Sequence, residues 1–285
     1  MSLDLDDRQR AMLQEMGVRV WLPQTPTEAP LVAHDPNAPV RRAAPSLVGV
    51  NKSSQIATPM AQPVPKPVQS VGVVAALSPM PERLPDMDWP TLARTVTNCQ
   101  ACALCNGRRA PVFVTADVAP QADWLVLGEP PDESEERLGL PFAEQSGQLL
   151  DNMLKSLGLN RHGRAGDRAT AAYVTNVVKC RPATGRNPEP AELAACETYL
   201  RLEVALVQPK VILALGRFAA QSLLQGSRPE LTSTPLGKLR GQTYHYQGVP
   251  VVVSYAPSYL LRTQQDKARA WADLCLALDL VQRGD

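Results

Sequence analysis

The chain has 285 residues, 44% of them hydrophobic, and 29 Lys/Arg against 28 Asp/Glu give a net charge of +1. That length supports one domain of about 200 residues with extensions, and the near-zero charge excludes a global basic field, so any nucleic-acid contact must come from local patches. No apolar run reaches signal-peptide length or the roughly 18 residues of a membrane span. A reducing cytoplasm is expected, where six cysteines point to metal binding before disulfides.

In chain order, residues 6–16 (DDRQRAMLQEM) place acids first, helix formers throughout and Gly17 at the end, the pattern of a short capped helix. Met12, Leu13 and Met16 share one face, and apolar character continues to Leu22. Residues 1–22 therefore read as a docking segment that either folds back on the main domain or orders on a partner. Residues 23–85 hold 13 of the 27 prolines, with few charges or aromatics between them, and read as a disordered linker. Residues 86–285 are expected to form the folded domain.

Asp88 before Trp89-Pro90 is an N-cap candidate, and the helix it opens delivers Cys99-x-x-Cys102. Elements then alternate. Strands are expected at 124–127, 173–178, 211–215 and 249–255, and helices at 146–157, 190–207, 218–224 and 259–281. Thr243–Tyr246 should pair with Val251–Val253 across Gln247-Gly248. Such alternation builds a parallel sheet covered on both faces. Asn176 then arrives near the carboxyl end of a buried strand, where open α/β folds place ligands. Cys99, Cys102, Cys180 and Cys196 form two pairs, readable as a Zn(Cys)4 or a four-cysteine iron–sulfur site. Cys105 and Cys275 are extra.

TNVVKCRP at 175–182, with GEPPDESEERLGLPFAEQSGQLL at 128–150, PKVILALG at 209–216 and APSYLLR at 256–262, resembles the family 4 (iron–sulfur) uracil-DNA glycosylases over about two-thirds of the chain. The resemblance implies a three-layer α/β/α fold with a central, mostly parallel four-stranded sheet. It implies a [4Fe–4S] cluster on Cys99, Cys102, Cys180 and Cys196, and excision of uracil from DNA. Phe142 falls on the aromatic that stacks on a flipped base. Asn176 falls on the asparagine whose amide donates to O4 and accepts from N3–H of uracil, and Glu129 on the acid that orients water or stabilises the sugar cation. Pro257, Ser258, Leu260, Leu261 and Arg262 fall on the loop that clamps DNA and wedges into the vacated stack. Lys179, Arg181, Arg186, Lys238 and Arg240 lie on loops from which they could reach phosphates.

Several positions depart from that pattern. Ala256 stands where the family has a histidine, and alanine cannot donate to O2 of the leaving base. Pro130, Asp132 and Glu144 replace glycines, and the two carboxylates are expected to repel an anionic base and phosphate. Asp132, Glu133, Glu135 and Glu136, the acids that follow Glu129, read as a solvated face. Residues 13–21 (LQEMGVRVW) resemble the N-terminal segment of the psi subunit of the bacterial replicative DNA polymerase, which implies a clamp-loader partner reached through residues 6–22. Two readings follow: a weakened glycosylase acting on DNA, or an inactive glycosylase-fold adaptor.

Overall fold

A computed structural model describes residues 87–161 and 167–283. The expected docking segment and the whole proline-rich stretch lie outside the described residues, as does His162.

The sheet is assembled from three parallel pairings and one hairpin. β1 (Trp124–Gly128) lies between β2 (Ala172–Asn176) and β3 (Val211–Leu215), and β3 pairs onward with β5 (Val249–Ser254). β4 (Thr243–Tyr246) closes the edge antiparallel to β5, turning at Gln247-Gly248, both with positive φ. The order β2-β1-β3-β5-β4 makes five strands, one more than expected, because the 243–246 hairpin joins the main sheet. β1, β2 and β3 are buried at every position, as their uninterrupted apolar runs require of strands covered on both faces.

Helices supply the covers. α1 (Trp89–Thr97) is capped by Asp88, whose Oδ1 accepts from Thr91 N at 2.9 Å. α2 (Glu133–Leu138) and α3 (Glu144–Ser156) follow β1. α4 (Pro190–Val207) starts on proline, with Glu189 and Glu192 exchanging bonds in a capping box. α5 (Arg217–Leu224) follows β3, α6 (Leu236–Leu239) precedes the hairpin, and α7 (Pro257–Arg262) and α8 (Lys267–Arg283) end the fold.

One apolar cluster unites α1, α4 and α5 with one sheet face (Trp89, Leu125, Tyr199, Ile212). The other joins α3, α7 and α8 to the opposite face (Leu150, Val126, Leu260, Trp271). These are the three layers anticipated. The single last helix expected from Tyr259 is instead broken at Thr263 (φ −124°, ψ 72°), and a 3₁₀ turn at Gln264–Asp266 re-aims the chain before α8. No helix among the described residues is long and apolar enough to cross a membrane.

Candidate active site

Strand order reverses between β1 and β3, whose neighbours β2 and β5 lie to either side, so a crevice opens at the carboxyl ends of β1 and β3. Residues at four strand ends meet the crevice edge: Gly128-Glu129 after β1, Asn176 closing β2, Gly216 after β3 and Ala256 after β5. Gly128 and Asn176 are direct register partners.

Phe142 lies against Gly128: a Cβ there would stand 2.5 Å from the ring's Cζ, so the glycine is what lets the ring cross the end of β1. Phe142 is buried and has φ +52°. Its carbonyl accepts from Arg161 Nη1 at 2.8 Å, and its backbone N–H donates to Glu135 Oε1. Gly147 on α3 is equally constrained, since a Cβ would stand 2.1 Å from the Phe142 carbonyl.

Asn176 is buried, and its Nδ2 donates to the Glu129 carbonyl at 2.9 Å and to Glu135 Oε1 at 3.2 Å. Both amide hydrogens are thereby engaged. Its Oδ1 is buried without a hydrogen-bond partner. The expected pair of contacts to a base thus reduces to one free acceptor.

Glu129 reaches over Gly216 to the start of α5, where its Oε1 accepts from Phe218 N at 2.8 Å. Gly216 has φ +113°, and a Cβ on it would meet that Oε1 at 2.2 Å. Burial pushes the Glu129 carboxyl up to about 7, against the pull of the α5 backbone N–H groups and Arg217. This carboxyl caps a helix at the carboxyl end of the sheet.

Glu135 is the residue that sequence reasoning missed. Assigned to a solvated acidic face, it is buried, as is Glu136. Its Oε2 accepts from Asp132 N at 2.7 Å, completing a capping box at the start of α2, while Oε1 bridges Phe142 N and Asn176 Nδ2. Burial raises its pKa. The signal was present: Asp132 and Glu135 have capping-box spacing.

Cys102, Cys180 and Cys196 are buried in one apolar cluster, with Cys99 packed against it, and all are free thiols. Arg108 Nη1 donates to Cys180 Sγ at 3.0 Å, and the Tyr199 hydroxyl bonds Cys99. Burial pushes Cys102 up to about 11 and Cys196 up to about 12. Among the described residues no three His, Cys or carboxylate donors converge tightly enough to hold a single ion.

A family model for the uracil DNA glycosylase superfamily matches residues 115–275. The chain belongs to that superfamily. It is 32% identical to a type-4 uracil-DNA glycosylase of Thermotoga maritima over 179 residues, covering 62% of this chain and 85% of the relative. A type-4 enzyme of Pyrobaculum aerophilum is 33% identical over 196 residues (67% and 93%), and a type-5 enzyme of the same organism 32% over 130 residues (44% and 55%).

Within this glycosylase fold the expected DNA loop is the helix α7. Ser258, Leu261 and Arg262 are exposed, whereas Pro257 is buried and Leu260 is fully buried in the core, where its side chain completes the packing of α7 on the sheet. Four of the five basic residues expected to reach phosphates are committed elsewhere. Lys179 pairs with Glu203, Arg181 with Glu136, Arg186 with Glu192 and Arg240 with Asp273, while Lys238 is exposed. The two carboxylates expected to repel a ligand are also engaged: Asp132 caps α2 and Glu144 bonds Arg137 at 2.6 Å. Glu144 has a left-handed backbone (φ +52°). Ala256 is buried and offers only a methyl group. An apolar cleft of about 940 Å³ is lined by Phe142 together with Val118, Leu138, Leu140 and Tyr173, but by neither Glu129 nor Asn176.

Proposed function

We propose that this chain is a DNA glycosylase that hydrolyses the N-glycosidic bond of uracil in DNA. The observation that carries the reading is the orphaned Oδ1 of Asn176, a buried acceptor beside an aromatic ring and a carboxyl of raised pKa. Uracil carries a hydrogen on N3 and satisfies that oxygen; cytosine presents a lone pair at N3 and leaves two acceptors facing. Phe142 supplies the stacking face for a base taken out of the helix.

In the reaction, a water oxygen bonds to the sugar carbon as that carbon's bond to the base nitrogen breaks, and the electron pair leaves with the base. Glu129, near neutrality in pKa, takes the proton from the water and faces the positive charge developing on the sugar. Glu135 holds Asn176 and Phe142 in place through one oxygen. Ala256 gives the departing base no donor, a deficit worth about 3 kcal/mol of barrier, so excision is expected to be slow. Ser258, Leu261 and Arg262 form the face toward the DNA strand.

Cys99, Cys102, Cys180 and Cys196 would hold the [4Fe–4S] cluster. Their meeting in one cluster from two distant segments and the Arg108 cation against Cys180 Sγ fit a set of metal-binding cysteines, whose thiols, raised by burial, would give up their protons on binding. When bound, the cluster supplies a staple between the end of α1 and the loop after β2.

Residues 86–285 are assigned as the catalytic domain of a cytoplasmic protein, with 1–22 as a docking segment on the linker 23–85. The adaptor alternative, a clamp-loader partner bound through residues 6–22, draws on Ala256 and is tested by a pull-down with clamp-loader subunits. The site itself is tested by Asn176→Leu. Preference for a uracil-containing strand over the same strand with cytosine should fall by about tenfold. An unchanged preference contradicts the assignment.

A further inference from the structure

Lys179 is fully buried, with 1% of its side chain exposed, and its Nζ makes three bonds: to Glu203 Oε2 at 2.9 Å, Thr175 Oγ1 at 2.7 Å and the Asn176 carbonyl at 2.9 Å. Glu203, on α4 and 0% exposed, accepts in addition from the Tyr173 hydroxyl and from Thr175 Oγ1, both at 3.1 Å. A buried ion pair is a poor source of stability, since taking two charges out of water costs about what their attraction returns. Such a pair is better explained by the geometry that it enforces.

That geometry has two ends. Nζ grips the carbonyl of Asn176, the residue whose Oδ1 is left free. The backbone of Lys179 is fixed as well, since its carbonyl accepts from Val112 N at 2.7 Å and its N–H bonds toward the Cys196 sulfur. Its ring neighbour is Phe113, with Nζ 5.9 Å from the centroid. Between Asn176 and Cys180 lie only Val177, Val178 and Lys179, so the turn joining β2 to the cysteines is clamped from inside by α4.

We infer that Lys179 and Glu203 are positioning residues for base recognition: the buried pair fixes the end of β2 so that the Asn176 side chain is held at one aim. The inference rests on the reading of Asn176 as the base-reading residue. Neither residue touches the base. Their effect passes through one carbonyl, which an apolar side chain of similar size at 179 cannot hold.

The test uses the full chain and the double variant Lys179→Met/Glu203→Gln. It removes both charges while the glutamine oxygen still accepts from Tyr173 and Thr175, so no buried charge is stranded. Three readouts are taken: melting temperature, iron content, and the ratio of affinities for a single strand containing uracil and the same strand containing cytosine. The expected result is wild-type melting and iron with a ratio reduced by about tenfold, the loss that follows when one recognition bond is misaimed. Asn176→Leu is run in parallel. If it loses discrimination while the double variant keeps it, the positioning role is overturned and the base-reading role stands. If Asn176→Leu keeps discrimination, the base-reading role fails and the inference with it. Should the double variant melt early or lose iron, Lys179→Arg replaces it. Arginine keeps the charge opposite Glu203, but its planar fork cannot reproduce the three-way ammonium geometry. Lost discrimination at wild-type melting supports the role, and full discrimination overturns it.

Discussion

Gly216→Ala probes the seat of Glu129. At φ +113° and ψ 179° this position lies where an L side chain is strained, which costs about 1–3 kcal/mol. The new methyl would also stand 2.2 Å from Glu129 Oε1 and 2.6 Å from Cδ, so the carboxyl must leave Phe218 N. Losing such a cap on α5 costs about 0.5–2 kcal/mol more. Together the penalties come to about 1.5–5 kcal/mol, or a fall of about 3–20 °C in melting temperature for a domain of this size. Calorimetry on the full chain reads the fall, and uracil release should drop with it because the carboxyl is displaced. Glu129→Ala on the Gly216→Ala background removes the clash but not the backbone strain, so the two changes should be non-additive. A Gly216→Ala protein melting within a degree or two of wild type would refute the packing of Glu129 over this glycine.

The Glu129 carboxyl is raised from 4.5 to about 7 on folding, so the stability associated with its neutral form is fully present below pH 4.5 and is lost as pH rises through 7. Relative to Glu129→Gln, the wild type should therefore lose about 3 kcal/mol between those pH values; urea titrations giving a flat difference contradict the burial argument. Iron and sulfide analysis should find four of each per chain, and Cys180→Ser or Cys196→Ser should remove the brown colour; stoichiometric zinc without sulfide contradicts the cluster. Ala256→His should raise excision about 10²-fold by restoring a donor to the leaving base, and no gain would mean that Ala256 is not what limits the rate.

Much of the fold was legible because local signals and burial agree. Pro190 with the Glu189/Glu192 spacing marks the start of α4, and the unbroken apolar run at 211–215 marks a strand covered on both sides. The break between α7 and α8 was not legible: Thr263 carries no proline or glycine signal, and the sequence around it remains helix-forming. Glu135 and Glu136 sit in a run of acids that composition alone assigns to solvent. Their burial depends on donors supplied from far along the chain, Asn176 for one and Arg181 for the other. The same holds for Lys179 and Arg240, whose partners Glu203 and Asp273 lie 24 and 33 residues away. Asn176 was singled out by motif resemblance. Its commitment of both amide hydrogens to Glu129 and Glu135, leaving one free oxygen, is a tertiary fact.

The central claim is tested most directly by incubating the full chain in excess with single-stranded oligonucleotides that differ only in one base, uracil, thymine or cytosine, and counting alkali-sensitive abasic sites. The account predicts slow but complete conversion of the uracil strand, none of the other two, and loss of conversion in Glu129→Gln. Absence of abasic sites from the uracil strand over many hours, in protein that carries its iron and binds the strand, would contradict it.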